Sequence, residues 1–243
     1  MKKFQIALMC IATLAFIACK PNNNPEDPTD GDDDDEYVAP ITVDGDAADW
    51  EKLGDKVFTA DCNKDAEFKA LTTMKVYADE LFIYLYAEYD ASLIDINEDL
   101  SDKEFAEKWG VPFHIYINAT NSNNGFIGQW STPATMLTEG FLFLEGKPIE
   151  YNPSAFIWAG EVASTEWTWD SSSATNYINA SKVTDKTIEM SILREALPET
   201  IGDEFRMGID IQKAWDSQGI LPNMEKNEEG TVAEMLLVKT DKK

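Results

Sequence analysis

Seven tryptophans stand in this chain, and the spacing of two of them points most directly to chemistry. In "STEWTWDSSS" (164–173), Trp167 and Trp169 are two residues apart, so in a strand both indoles leave the same face. Such a pair can offer an apolar platform to the C–H face of a sugar ring. The same spacing suits two rings that cover a core, with Glu166 and Thr168 outward, and the residues leave both arrangements open. Trp130 lies in the polar stretch "GFIGQWSTP" and is expected to be exposed, whereas Trp158 lies in an apolar run and is expected in the core.

Nucleophilic chemistry has little to work with. His114 is the single histidine, so no Ser-His-Asp or Cys-His arrangement exists unless it is the centre. It falls inside a strand-like run and reads as a side chain packed on a sheet. Two carboxylates are all that glycoside hydrolysis requires, but 45 acidic residues give such a pair no discriminating power. Zinc-type spacing and a Gly-rich phosphate loop are both missing. The expected reading is not an enzyme, with no cofactor. "NATNSNNG" (118–125) has many oxygens but no carboxylate, which favours a polar turn over a calcium site.

The N-terminus gives an address. Lys2 and Lys3 precede an uncharged apolar run from Phe4 to Ala18, too short to span a bilayer and built like an export signal. Phe16-Ile17-Ala18-Cys19 resembles the lipobox of bacterial lipoproteins. That resemblance implies cleavage before Cys19 and lipidation of its thiol. Cys10 would leave with residues 1–18, so Cys62 alone remains, unable to form an internal disulfide and read as inert.

Residues 19–38 then form a lipidated cysteine followed by a tether. Positions 20–38 carry eight acids, one lysine and three prolines, too little apolar surface to offset the entropy of ordering. Asp32 to Glu36 lack the alternation and glycine of a calcium loop, so they read as a solvated spacer. An acidic run after such a cysteine resembles the signals of lipoproteins shown on the outer face of Gram-negative outer membranes. The membrane is therefore expected as a partner through the anchor only.

Residues 39–243 are expected to form one domain. They hold 37 acids against 17 bases, a net charge of −20, which argues against nucleic acid and suits a neutral or cationic partner. Short β-rich runs dominate: 74–90 around an Asp79-Glu80 turn, then 111–118, 139–146, 154–164, 186–193, 204–215 and 231–239. The expected class is all-β, an antiparallel sandwich of immunoglobulin or jelly-roll type with one or two short helices. Residues 101–110 are the best helix, with Ser101 as N-cap and Glu104 completing a capping box; Arg194 to Leu197 suit a single turn.

Three segments carry a further likeness. "ITVDGDAADWEKL" (41–53), "MKVYADELFIYLYAEYD" (74–90) and "TIEMSILREALPETIGDEFRMGIDIQKAWDSQG" (187–219) together resemble family-nine carbohydrate-binding modules and their DOMON-like relatives. The resemblance implies a sandwich that holds a sugar between two tryptophans with polar residues beside them. It places Trp109 near one such tryptophan and His114 where the family has a glutamate. The last long loop, 216–230, has no aromatic residue, which leaves Trp130, Trp158, Trp167, Trp169 and Trp215 to replace the second indole, the Trp167–Trp169 pair being the first choice and Trp130 the second. Asp44-Gly45-Asp46 reads as a tight turn and Trp50 as core. The expectation is a non-catalytic, surface-anchored glycan-binding protein, with uptake-system proteins as its expected neighbours. Two rivals stay open: a protein-docking lipoprotein, and a DOMON-type haem protein pairing His114 with Met74, Met190 or Met207.

Overall fold

The computed structural model describes residues 37–94, 110–142, 154–198, 201–213, 216–223 and 234–242. The signal region, Cys19, most of the tether, the helix expected from residue 101 with its Trp109, and Trp215 lie outside the described residues. The chain divides into two units, Met1–Val38 and Ala39–Lys243. The second unit holds every strand among the described residues.

Its elements begin with a short helix, α1 (Ala48–Leu53), and continue with β1 (Phe58–Asp61), β2 (Leu71–Ala78), β3 (Phe82–Tyr89) and β4 (Val111–Ala119). Next come β5 (Met136–Leu142), β6 (Ser154–Trp158), β7 (Trp169–Ser173) and β8 (Ile178–Val183). The chain ends through β9 (Thr187–Leu193), β10 (Glu204–Lys213), β11 (Asp216–Leu221) and β12 (Leu236–Lys239). All pairings between these strands are antiparallel. One sheet runs β1-β2-β3-β9-β8 and the other β11-β10-β4-β5-β6-β7, with β12 also on β10. The protein is an antiparallel β-sandwich. Among the described residues no helix is long and apolar enough to cross a membrane.

Period-2 alternation explains how the sheets face each other. On β4, Val111, Phe113, Ile115 and Ile117 point inward; on β10, Phe205, Met207, Ile209 and Ile211 do; on β9, Ile188, Met190 and Ile192 do. Each such side chain contributes roughly 1.5–3 kcal/mol by leaving water. The alternate positions are also buried: His114, Tyr116 and Asn118 on β4, Glu189 and Ser191 on β9, Asp210 and Gln212 on β10. Polar groups cannot be buried on an outward face unless something covers it. Both outer faces are therefore roofed, and the two roofs differ.

Over the first sheet lies the 39–57 segment. The Asp79 turn forms as the sequence suggests, its carboxylate accepting from the backbone N–H of Leu81 and Phe82. Arg194–Ala196 is a single 3-10 turn. Residues 216–221, expected as loop, are strand β11 instead, because β10 is long enough to pair β12 along its first half and β11 along its second.

Candidate functional site

The roof of the first sheet shows what a closed arrangement looks like. Asp44-Gly45-Asp46 makes its turn, with Asp46 N–H donating to Asp44 Oδ1 and Gly45 at φ +89°. A side chain at Gly45 would also press on Thr184 at 2.9 Å, so this position needs glycine on both counts. The turn delivers the N–H groups of Asp44 and Gly45 to Glu189 Oε2, at 2.9 and 2.6 Å. Trp50, on α1 and 2% exposed, donates its indole N–H to Glu189 Oε1 at 2.8 Å. Burial raises the Glu189 carboxyl while these three donors pull it back. Trp50 is core, as its sequence position suggests.

The roof of the second sheet is made by the loops 120–135 and 159–168. Strand register sets its floor as a polar row. Asp210 on β10 faces His114 on β4, His114 faces Glu139 on β5, and Glu139 faces Ser154 on β6. The next row is Gly208, Tyr116, Leu137 and Phe156. Tyr116 lies close enough to Asp210 and Glu139 for both charges to help hold its hydroxyl protonated, after burial itself.

Aromatic rings cover these rows. Trp130 fits over the gap left by Gly208, where a Cβ would meet its indole at 2.6 Å, and stands edge-on to Tyr116 at 5.1 Å. Its N–H donates to Pro222 O at 3.1 Å, and it is 2% exposed. The expected exposure of Trp130 is therefore corrected: its polar neighbours in sequence hide a slot that only Gly208 on a distant strand provides. Gln129 beside it donates to Asp210 Oδ2 at 2.6 Å.

Trp167 is different. It is 51% exposed, and its ring lies 5.9 Å from His114, 5.3 Å from Phe126 and 5.7 Å from Trp169. Trp167 precedes strand β7, which begins at Trp169, and the two indoles are tilted by 58°. A coplanar two-indole platform is thus replaced by a cluster in which Trp169 is half-buried and Trp167 presents the accessible ring. Trp158, expected in the core, is also half-buried, edge-on to Trp169 at 5.1 Å with its N–H on Glu161 O.

The electrostatics follow from burial. His114 is wholly buried, which drags its imidazolium down to about 4, so the ring is neutral at pH 7. It supports Trp167 from beneath. Asp210 is equally buried and is pushed up to about 7, opposed by donors from Gln212 and Ser217. Its Oδ2 collects these bonds, while Oδ1 is buried without a partner among the described residues. Burial also raises the half-buried Glu139. Met74, Met190 and Met207 all point into the core between the sheets, on the opposite side of β4 from His114. A Met–His haem pair of that kind is excluded by strand alternation. The 118–125 segment closes as a polar turn, with Asn124 N–H on Ser122 Oγ and Asn118 Nδ2 on Ser122 O.

The arrangement brings together Trp167, Trp169 and His114, with Trp130 packed deeper under the same roof. Sequence reasoning missed Glu139, Asp210, Gln129 and Phe126. Their signal was present only in part: "FHIYIN" and "GIDIQ" set single polar residues between inward apolar ones, but their register depends on pairing.

No family model and no curated protein matches the chain. Among solved structures it is similar to a family 9 carbohydrate-binding module from Caldicellulosiruptor kristjanssonii, in complex with cellotriose. The two are 11% identical over 85% of this chain and 92% of that one, with a TM-score of 0.40.

Proposed function

We propose that this protein is a non-catalytic carbohydrate-binding protein that holds a sugar on the roof of its second sheet. One observation carries the reading: Trp167 is half-exposed, yet its ring is fixed from below and beside by His114, Phe126 and Trp169. An indole already immobilised loses little entropy when a sugar's C–H face stacks on it. Glu139 and Ser154, next along the polar row, are only partly buried and offer hydrogen-bonding groups to hydroxyls. Trp169 and Trp130 fix the shape of the surface from within, and Trp109 is a further candidate contact. The export signal and Cys19 support a lipid-anchored location at the outer face of an outer membrane, beside uptake-system proteins.

The test is a glycan array probed with purified full-length protein, followed by fluorescence titration of any hit. Trp167→Ala should weaken the hit at least about tenfold, roughly the loss of 1.4 kcal/mol, with at most a small change in melting temperature. Silence across the array from folded protein would turn the reading to a protein-docking lipoprotein. Labelling with a radioactive fatty acid tests the anchor, which Cys19→Ala should abolish.

A further inference from the structure

Glu139 is a half-buried carboxylate raised by burial alone, with no donor or cation among the described residues pulling it back. Its counterpart under the other roof, Glu189, accepts three hydrogen bonds. A carboxylate that loses hydration without gaining a partner is a standing cost, and it is removed when a charged donor arrives. Asp210, across His114 from Glu139, repeats the pattern more deeply. Its donors are the neutral Gln129, Gln212 and Ser217, and Oδ1 has none among the described residues. None of the described ion pairs joins a lysine or arginine to either residue. Negative charge on this face is thus balanced locally by no protein cation among the described residues.

Trp167 is the second feature on this face that suits a cation. Trp167 is half-exposed, and its ring lies 5.9 Å from that of His114, tilted by 44°; His114 pairs directly with Glu139 across β4 and β5. Opposed side chains on neighbouring strands have Cβ atoms about 4.5–5.5 Å apart, so the Glu139 side chain leaves the sheet next to the His114 ring that Trp167 contacts. An ammonium group is attracted by the ring face and by the carboxylate together. The net charge of −20 on residues 39–243 favours its approach and disfavours uronic or sulfated sugars.

We infer that the sugar bound here is an amino sugar with a free, protonated amine, seated against the Trp167 indole and paired with Glu139. This rests on the sugar-binding reading and specifies it. Titration calorimetry on full-length protein would compare oligosaccharides matched in backbone and length, in gluco and galacto series, whose C2 bears a free amine, an acetylated amine or a hydroxyl. The free amine should bind at least about tenfold more tightly, a difference of roughly 1.4 kcal/mol. Glu139→Gln should erase that preference, Trp167→Ala should weaken every ligand, and Asp185→Asn, in the turn between β8 and β9 of the other sheet, should leave both unchanged.

Equal or tighter binding of the acetylated or hydroxyl ligands overturns the amine and leaves the sugar reading standing. An equal loss in Asp185→Asn would show diffuse charge attraction and overturn it too. Silence from every ligand, with an intact near-UV circular dichroism spectrum, overturns both.

Discussion

The two outer faces of the sandwich are built from the same materials and finished differently. Each has a strand-borne glutamate on the outer face and a tryptophan in the segment that covers that face. Over the first sheet the indole N–H of Trp50 and two backbone N–H groups use both oxygens of Glu189, and the tryptophan is 2% exposed. Over the second, Trp167 is 51% exposed and the indole N–H of Trp169 is buried without a partner among the described residues. Asp210 keeps an unused oxygen. Buried polar groups are normally satisfied, because leaving one unpaired costs about 1–3 kcal/mol. A closed roof is what folding alone selects. The unspent hydrogen bonds of the other roof are the groups that the proposed sugar site would use.

The largest effect separates the two faces through stability. Trp50→Ala removes a buried indole and leaves Glu189 without its side-chain donor, so a loss of about 3–5 kcal/mol is expected in denaturant unfolding. Trp167→Ala, at a half-exposed ring, should change stability far less, within about 1 kcal/mol, while losing the glycan affinity proposed for this face. Comparable destabilisation by both variants would dissolve the contrast. Gly208→Ala comes next: the new methyl must displace the Trp130 indole, at about 1–3 kcal/mol. Its near-UV circular dichroism should lose tryptophan signal, and an unchanged spectrum would mean that Trp130 does not need the slot.

Much of the sandwich was legible because interior strands advertise themselves. The hairpin around Asp79, and β4, β9 and β10, are rich in large apolar and β-branched residues, so their strand type was readable from the residues. Sheet margins and covers were not. β1 and β8 are edge strands with polar residues on their solvent sides, as in "INASKV", and they lack the apolar run that marks a strand. Helix α1 has Ala47 at its N-cap, with no side-chain bond, and spans under two turns. Trp50 was placed correctly because a turn preceded it. Trp130 was not, since its slot is the missing side chain of Gly208, far along the chain. Trp167 and Trp169 were recognised by type, but their tilt depends on where β7 begins. Glu139 and Asp210 were hidden by abundance: in so acidic a chain only strand register distinguishes them.

The subtlest difference between the roofs is in their pH response, and it sharpens the comparison at Asp210. Its folded pKa is raised from 3.8 to about 7, so its contribution to stability is present at low pH and is lost as pH rises toward 7. His114 acts in the opposite sense. Its pKa is lowered from 6.5 to about 4, so stability is lost as pH falls from 6.5 to 4. Between pH 4 and 6.5 the two oppose each other, and the wild type should show little net slope from this pair. Asp210→Asn keeps an acceptor for Gln129, Gln212 and Ser217 but removes the ionisation. The stability of the variant relative to wild type should therefore climb steadily from about pH 4 to about pH 7 and then level off. Urea unfolding across that range measures the difference directly. A difference that stays constant with pH would show that Asp210 does not titrate in this window, and that its roof is as fully neutralised as the one over Glu189.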